Sequence, residues 1–260
     1  MSINIMTTNF YFLLVIGALV GVVSGLLGSL MILKRMSLVG DALSHVALPG
    51  IAVALMVGIN PMFGAFVALL VAVLGIWYLE KTSDIYPEAL VGLFFTTSLA
   101  IGILITPEPE LFEALFGSIE KISTLDGVVI VLSSLVIFTV IRLIWQKLIL
   151  DVVSPDLARV GGIKMTRVNL LFLLMVGLAV ALGVKFLGTL LTGALVIIPA
   201  IAARNISQNL SAYRVWSMVF GALSAVVGIV LGFWLTLPVG PLVVLVGVGL
   251  FLLTLLYRKL

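Results

Sequence analysis

Cysteine does not occur in this sequence, which excludes disulfides and thiolate metal sites while leaving every cellular compartment open. Charge is scarce. Asp, Glu, Lys and Arg make up 10% of the 260 residues, against about a quarter in an ordinary soluble domain. A chain this poor in charge and 63% hydrophobic is excluded from the soluble classes and reads as an all-α polytopic membrane protein. No phosphate loop of the form G-x-x-x-x-G-K-[ST] is present, so any ATP energy must come from a separate subunit. The metalloprotease pattern H-E-x-x-H is also missing. No basic region precedes the first apolar run, and no cleavable signal peptide is expected.

What remains is apolar sequence in nine stretches, near 11–33, 38–58, 62–79, 88–105, 127–145, 168–184, 186–203, 215–235 and 241–257. Several are short, so eight or nine transmembrane helices are expected, in one transmembrane domain over 1–260. The basic residues set the orientation. With the N-terminus outside, twelve of the fourteen Lys and Arg fall on the inner side, and only Lys121 and Lys185 lie outside. The first stretch carries Gly17, Gly21 and Gly25, a ladder of small residues that lets another helix approach closely.

The second stretch is the informative one. Arg35-Met-Ser-Leu-Val-Gly-Asp-Ala-Leu-Ser-His-Val-Ala-Leu-Pro-Gly50 holds Asp41 and the only histidine, His45, in membrane-spanning sequence. Four helical residues advance about 6 Å and return to one face, so the two side chains point the same way. Counted from the inner basic pair Lys34–Arg35, they lie about 10 and 16 Å deep, with His45 near the midplane. An ionised Asp near a bilayer centre costs about 2.5–3.5 kcal/mol on insertion scales, which calls for a partner. Carboxylate plus imidazole suits a divalent transition metal. Spacing alone equally allows a structural reading, with Asp41 as an N-cap and His45 as an interhelical hydrogen-bonder. Pro49 predicts a kink or a short unwound segment just beyond.

Three further regions stand out. The outer loop between residues 106 and 126 carries Glu108, Glu110, Glu113, Glu120 and Asp126, and reads as a solvated connection or as a surface that attracts cations or a partner. The inner loop 146–167 is basic and reads as a connector. Near the C-terminus, Pro238, Gly240 and Pro241 predict a tight outer turn. A small-residue span from Gly188 to Pro199 is followed by an amphipathic Ala/Arg/Asn/Ser piece on the inside, either a capped helix end or a short surface helix that docks a cytoplasmic protein.

Taken in order, R-M-S-L-V-G-D-A-L-S-H-V-A-L-P-G-I-A, L-F-G-S-I at Leu115, G-T-L-L-T-G-A-L-V-I-I-P-A-I-A-A at Gly188 and L-P-V-G-P at Leu237 resemble the permeases of zinc/manganese/iron ATP-binding-cassette importers. The resemblance runs over nearly the whole chain, and the block from Gly40 to His45 is its most specific part. It implies a fold similar to the vitamin B12 and siderophore importer permeases. It also implies a second copy of the chain, a cytoplasmic ATPase dimer and an extracytoplasmic metal-binding protein as partners, in a bacterial or archaeal cell membrane. No permanently bound cofactor is implied; the divalent ion, Mn2+, Zn2+ or Fe2+, is cargo. By the resemblance Asp41 and His45 line the ion pathway, and the stretch 199–211, with Pro199, Ala200, Ala202, Ala203, Arg204 and Asn205, matches the helix that couples to the ATPase. Relatives often carry an acid before the L-P-x-G turn where this chain has Thr236, so no outer-gate carboxylate is assigned there.

Two other functions compete. An ion-coupled secondary metal carrier would act without an ATPase, but such carriers often show internal repeats and several buried acids, and here Asp41 is the one clear intramembrane acid. An intramembrane serine protease needs a nucleophile facing its base; Ser44, adjacent to His45, points about 100° away on a helix.

Overall fold

The computed structural model describes residues 2–83, 85, 87–106, 115 and 123–259, and all regular structure among them is helical. The helices are α1 (Ser2–Leu33), α2 (Ser37–Val57), α3 (Pro61–Thr82), α4 (Pro87–Ile105), α5 (Thr124–Val153), α6 (Pro155–Val160), α7 (Met165–Leu187), α8 (Thr189–Ile206), α9 (Leu210–Leu235) and α10 (Val239–Lys259). Seven are long and apolar enough to cross a membrane, and the shorter apolar helices α4 and α8 bring the candidates to nine among the described residues. Each coincides with one of the nine apolar stretches.

The helix ends have local causes. Asn60 caps α3 by accepting from Met62 N at 2.9 Å, and Pro61 opens the helix with φ already set. Ser123 and Asp126 form a reciprocal capping box at the start of α5. Asn209 caps α9 through Ala212 N at 2.8 Å. Thr236, at φ 54°, closes α9 in the left-handed region.

Packing is set by small residues. Gly21 of α1 and Gly221 of α9 meet backbone to backbone, and Gly25 lies against Ser217 of α9, so the glycine ladder expected on α1 is used for a close crossing. Gly50 and Gly64 do the same for α2 and α3, and Gly102 of α4 sits against Leu48 and Pro49. Of the seven long spans, α1, α2 and α7 are the most enclosed, while α10 leaves most of its apolar surface outward, as a lipid-facing helix must.

Three expectations are corrected. Helix α2 is continuous through Pro49, so no unwound segment follows His45. Helix α8 is continuous through Pro199 to Ile206, the capped helix end of the two forms its sequence allows, with the Ser207 hydroxyl donating back to the Ala203 carbonyl. Gly240 and Pro241 lie in the first turn of α10 rather than in the turn before it, where Pro at the start of a helix loses nothing. The inner loop 146–167 is more than a connector: α5 extends to Val153 and the short α6 follows it. Most of the acidic outer loop, with Glu108, Glu110, Glu113, Glu120 and Lys121, lies outside the described residues, as does most of the L-F-G-S-I motif.

Candidate functional site

Asp41 and His45 occupy the fifth and ninth positions of the 21-residue α2, one turn apart on one face, with His45 two residues short of its middle. Both are partly buried, on a helix whose other residues from Leu43 to Leu48 are enclosed. What surrounds them explains why the position is special.

Helix α8 starts inside the protein rather than at its surface. Leu187, Gly188 and Thr189 are all buried, and Gly188 takes φ 82°, ψ 171°, a backbone conformation essentially reserved for glycine. The turn this makes lies beside α2. Ser44, fully buried, places its hydroxyl 2.6 Å from the carbonyl of Asp41 and 2.6 Å from that of Thr189, bridging the two helices at the level of the pair. One turn into α8, Gly193 lies so close to Asp41 that a Cβ there would stand 2.7 Å from the Asp41 Cα and 2.7 Å from its Oδ1. The Asp41 carboxylate therefore packs against α8 where Gly193 has no side chain.

His45 presents a different environment. Its ring meets Phe95 of α4 edge to face, with centroids 5.3 Å apart. Its Nδ1 is buried without a hydrogen-bond partner, as is the Thr189 hydroxyl beside the Ser44 bridge. A buried polar nitrogen with no partner pays its desolvation cost without compensation, which leaves it available to a ligand. Pro49 adds to this, since it cannot supply the N–H that an α-helix would donate to the carbonyl of residue 45. The α2 segment thus offers a carboxylate and an imidazole within a candidate membrane span, beside a buried break in the helices. Irregular backbone there survives only where protein or water surrounds it. The break falls at Gly188 and not at Pro49.

Sequence reasoning missed Ser44 as a bridge, Gly188 and Gly193 as the residues that admit α8, and Phe95 as the neighbour of His45. A signal was present: Gly188-Thr-Leu-Leu-Thr-Gly193 interrupts two apolar runs that leave almost no room for an exposed loop.

The inner stretch from Pro199 to Asn205 forms the inner end of α8. Pro199 and Ala200 are buried, and Ala202 and Ala203 are fully enclosed with Tyr213 and Phe220 against Leu33, Leu250 and Phe251. Asn205 donates to Thr254 Oγ1 at 3.2 Å, leaving Arg204 as the exposed member of the six. The small residues serve the close packing of α8. An exposed apolar surface occurs instead on α6, where Leu157 and Val160 are 61% and 86% exposed at i, i+3 spacing while Ala158 is buried against the body.

A bundle of helices long and apolar enough to span a membrane, with a carboxylate and an imidazole one turn apart inside one of them, defines a transport protein of the membrane rather than a soluble binder. The chain belongs to the ABC 3 transport family, whose model matches residues 6–258. It is 31% identical over 253 residues to the manganese import system permease protein ScaB of Streptococcus parasanguinis, covering 95% of this chain and 90% of that one. It is 30% identical over 257 residues to the high-affinity zinc uptake system membrane protein ZnuB of Haemophilus influenzae, covering 95% and 96%. Among solved structures it resembles PsaBC from Streptococcus pneumoniae in complex with Fab, with a TM-score of 0.82 and 29% identity over 93% of this chain and 88% of that one.

Proposed function

We propose that this chain is the permease subunit of an ATP-binding-cassette importer of divalent transition-metal ions, with Asp41 and His45 lining the ion pathway. The observation that carries the pathway assignment is the pair itself: a carboxylate and a partnerless imidazole nitrogen one turn apart near the middle of α2, beside the buried α7–α8 turn. The import class follows from the family and from the named relatives, which are a manganese and a zinc permease. The whole chain acts as one permease domain in the cell membrane and hydrolyses no ATP itself, in keeping with its lack of a phosphate loop.

The metal is cargo, Mn2+, Zn2+ or Fe2+. One Asp and one His are too few for a closed four-coordinate zinc site, so a second copy related by a twofold axis supplies the other pair and water fills the remaining positions. A metal-binding protein delivers the ion from outside. A pair of cytoplasmic ATPases drives the change of access from inside. The permease surface best suited to the ATPase is α6, whose exposed Leu157 and Val160 stand between Pro155 and the Gly161–Gly162 turn on the inner side; the exposed Arg204 end of α8 adds a charge there.

The test is metal uptake in cells lacking their own importers, with the chain co-expressed alongside its ATPase and donor protein. Asp41→Ala and His45→Ala are expected to abolish uptake while expression and co-purification with the ATPase persist. Normal uptake by both variants would sink the pathway assignment. Uptake that proceeds without any ATPase would favour a secondary carrier.

A further inference from the structure

At the inner end of the bundle, Lys34 is not a free member of the basic belt. Its Nζ lies 2.7 Å from Asp151 Oδ2 and 3.0 Å from Asn169 Oδ1, with the Lys34 and Asp151 side chains only 9% and 21% exposed. The three residues come from three elements. Lys34 caps the end of α1, bonded through its own N–H to Leu30, and only Arg35 and Met36 separate it from α2. Asp151 stands in the last turn of α5, four residues before Pro155 opens α6. Asn169 is in the second turn of α7.

The placement links two corners of the molecule. One corner, α1 to α2, leads within seven residues to Asp41. The other, α5 to α6, carries the exposed Leu157 and Val160. A cavity of about 660 Å³ bordered by Trp77, Glu80, Asp151, Pro155, Lys164 and Asn169 lies beside the clasp, so the α5–α6 corner is not packed solid on that side and has room to shift. A solvent-exposed ion pair would be worth little and would transmit nothing. A pair this enclosed is costly to break on one side only: without Lys34 the Asp151 carboxylate loses its ammonium partner, and without Asp151 the Lys34 charge falls back on the Asn169 amide and the attraction of Glu80.

We infer that the Lys34–Asp151–Asn169 clasp is a positioning device that carries movement of the α5–α6 corner to the helix bearing Asp41 and His45. This rests on the permease reading above, with the ATPase acting at α6. The clasp makes the corner and the metal helix move as one body, so an ATPase stroke that displaces α6 also displaces the first turn of α2. Without it, the ATPase still closes and hydrolyses, but the displacement is absorbed in the cavity.

The experiment uses the full assembly of permease and ATPase in proteoliposomes, with donor protein and Mn2+ or Zn2+ as the probe, and reads metal imported per ATP hydrolysed. Lys34→Met and Asp151→Asn are expected to lower that ratio by about tenfold, in the range of ordinary coupling energies, with hydrolysis and co-purification retained. Lys34→Arg, and the exchanged pair Lys34→Asp with Asp151→Lys, are expected to recover much of it. An unchanged ratio in both single variants overturns the clasp assignment. So does a proportional fall of uptake and hydrolysis that neither Lys34→Arg nor the exchange rescues, since that marks a loss of structure. A wild-type assembly that imports no metal with ATP overturns the permease reading itself, before any variant is compared.

Discussion

Asp41 can face the α7–α8 turn because residue 193 has no side chain. Any Cβ at that position stands 2.7 Å from both the Asp41 Cα and Cβ, and backbone cannot swing aside as a flexible side chain can. Gly193→Ala should therefore push α2 and α8 apart, at a cost of about 1–3 kcal/mol, and move the carboxylate away from the path. The expected result is a lower melting temperature in detergent together with reduced metal uptake. Gly249→Ala is the matched control, because nothing lies within 4 Å of a Cβ there and a helical Ala for Gly is neutral or mildly stabilising. Equal uptake by the two variants would show that the contact at Gly193 does not shape the site. This is also where the sequence was least legible. Asp41 and His45 announce themselves by being polar in an apolar run, and their shared face follows from helical periodicity. Ser44, Gly193 and Gly188 act through distances between α2 and α8 that no spacing along the chain encodes. The same holds for Asp126, which belongs to the acidic outer segment by sequence. In the fold it is 4% exposed, closing the capping box of α5, accepting from Asn60 Nδ2 at 3.3 Å and lying 3.8 Å from Lys185 Nζ.

At the scale of elements, hydropathy located every long helix, because a spanning helix must satisfy its backbone internally and be apolar over its length. It failed where a helix outlives its apolar run. Helix α5 continues past Trp145 to Val153, and α6 follows on the inner side. It failed again at the two internal prolines, since neighbouring helices hold α2 and α8 straight enough to remain continuous through Pro49 and Pro199. These differences bear on the ATPase contact, which we propose lies at α6. The Ala202 and Ala203 side chains are enclosed, so adding bulk there disturbs the packing of α8 on α9 and α10 before it touches any partner. Leu157 and Val160 are open, and replacing both by Asp places charge on the exposed face while leaving buried Ala158 in place. The expected outcome is loss of co-purification with the ATPase, at unchanged permease expression and unchanged thermal stability. Retained co-purification would return attention to the Arg204 end of α8.

For the molecule as a whole, the polar contacts agree with the orientation that the basic residues dictate. Lys34 meets Asp151 and Asn169, the Arg214 guanidinium stacks 4.8 Å from the Trp145 ring centroid, and Lys81 lies 5.7 Å from that of Trp77, all at ends assigned to the inside. Asn60, Asp126 and Lys185 gather at the opposite end. Among the described residues, none of these pairings joins an inner residue to an outer one. Helix α8 is the element on which the count depends. Its 18 residues extend about 27 Å, just short of a hydrocarbon core of about 30 Å, and it starts from a buried turn. The chain's lack of cysteine makes the count directly measurable. Single cysteines at Arg35 and Gln208 should react with a membrane-impermeant maleimide only after the cells are opened, while those at Ile59 and Leu237 should react in intact cells; all four positions are exposed. Positions 35 and 208 sharing one side requires that the six helices between them that cross or re-enter return the chain to its starting face. Opposite labelling of those two positions would mean that α8 does not bring the chain back.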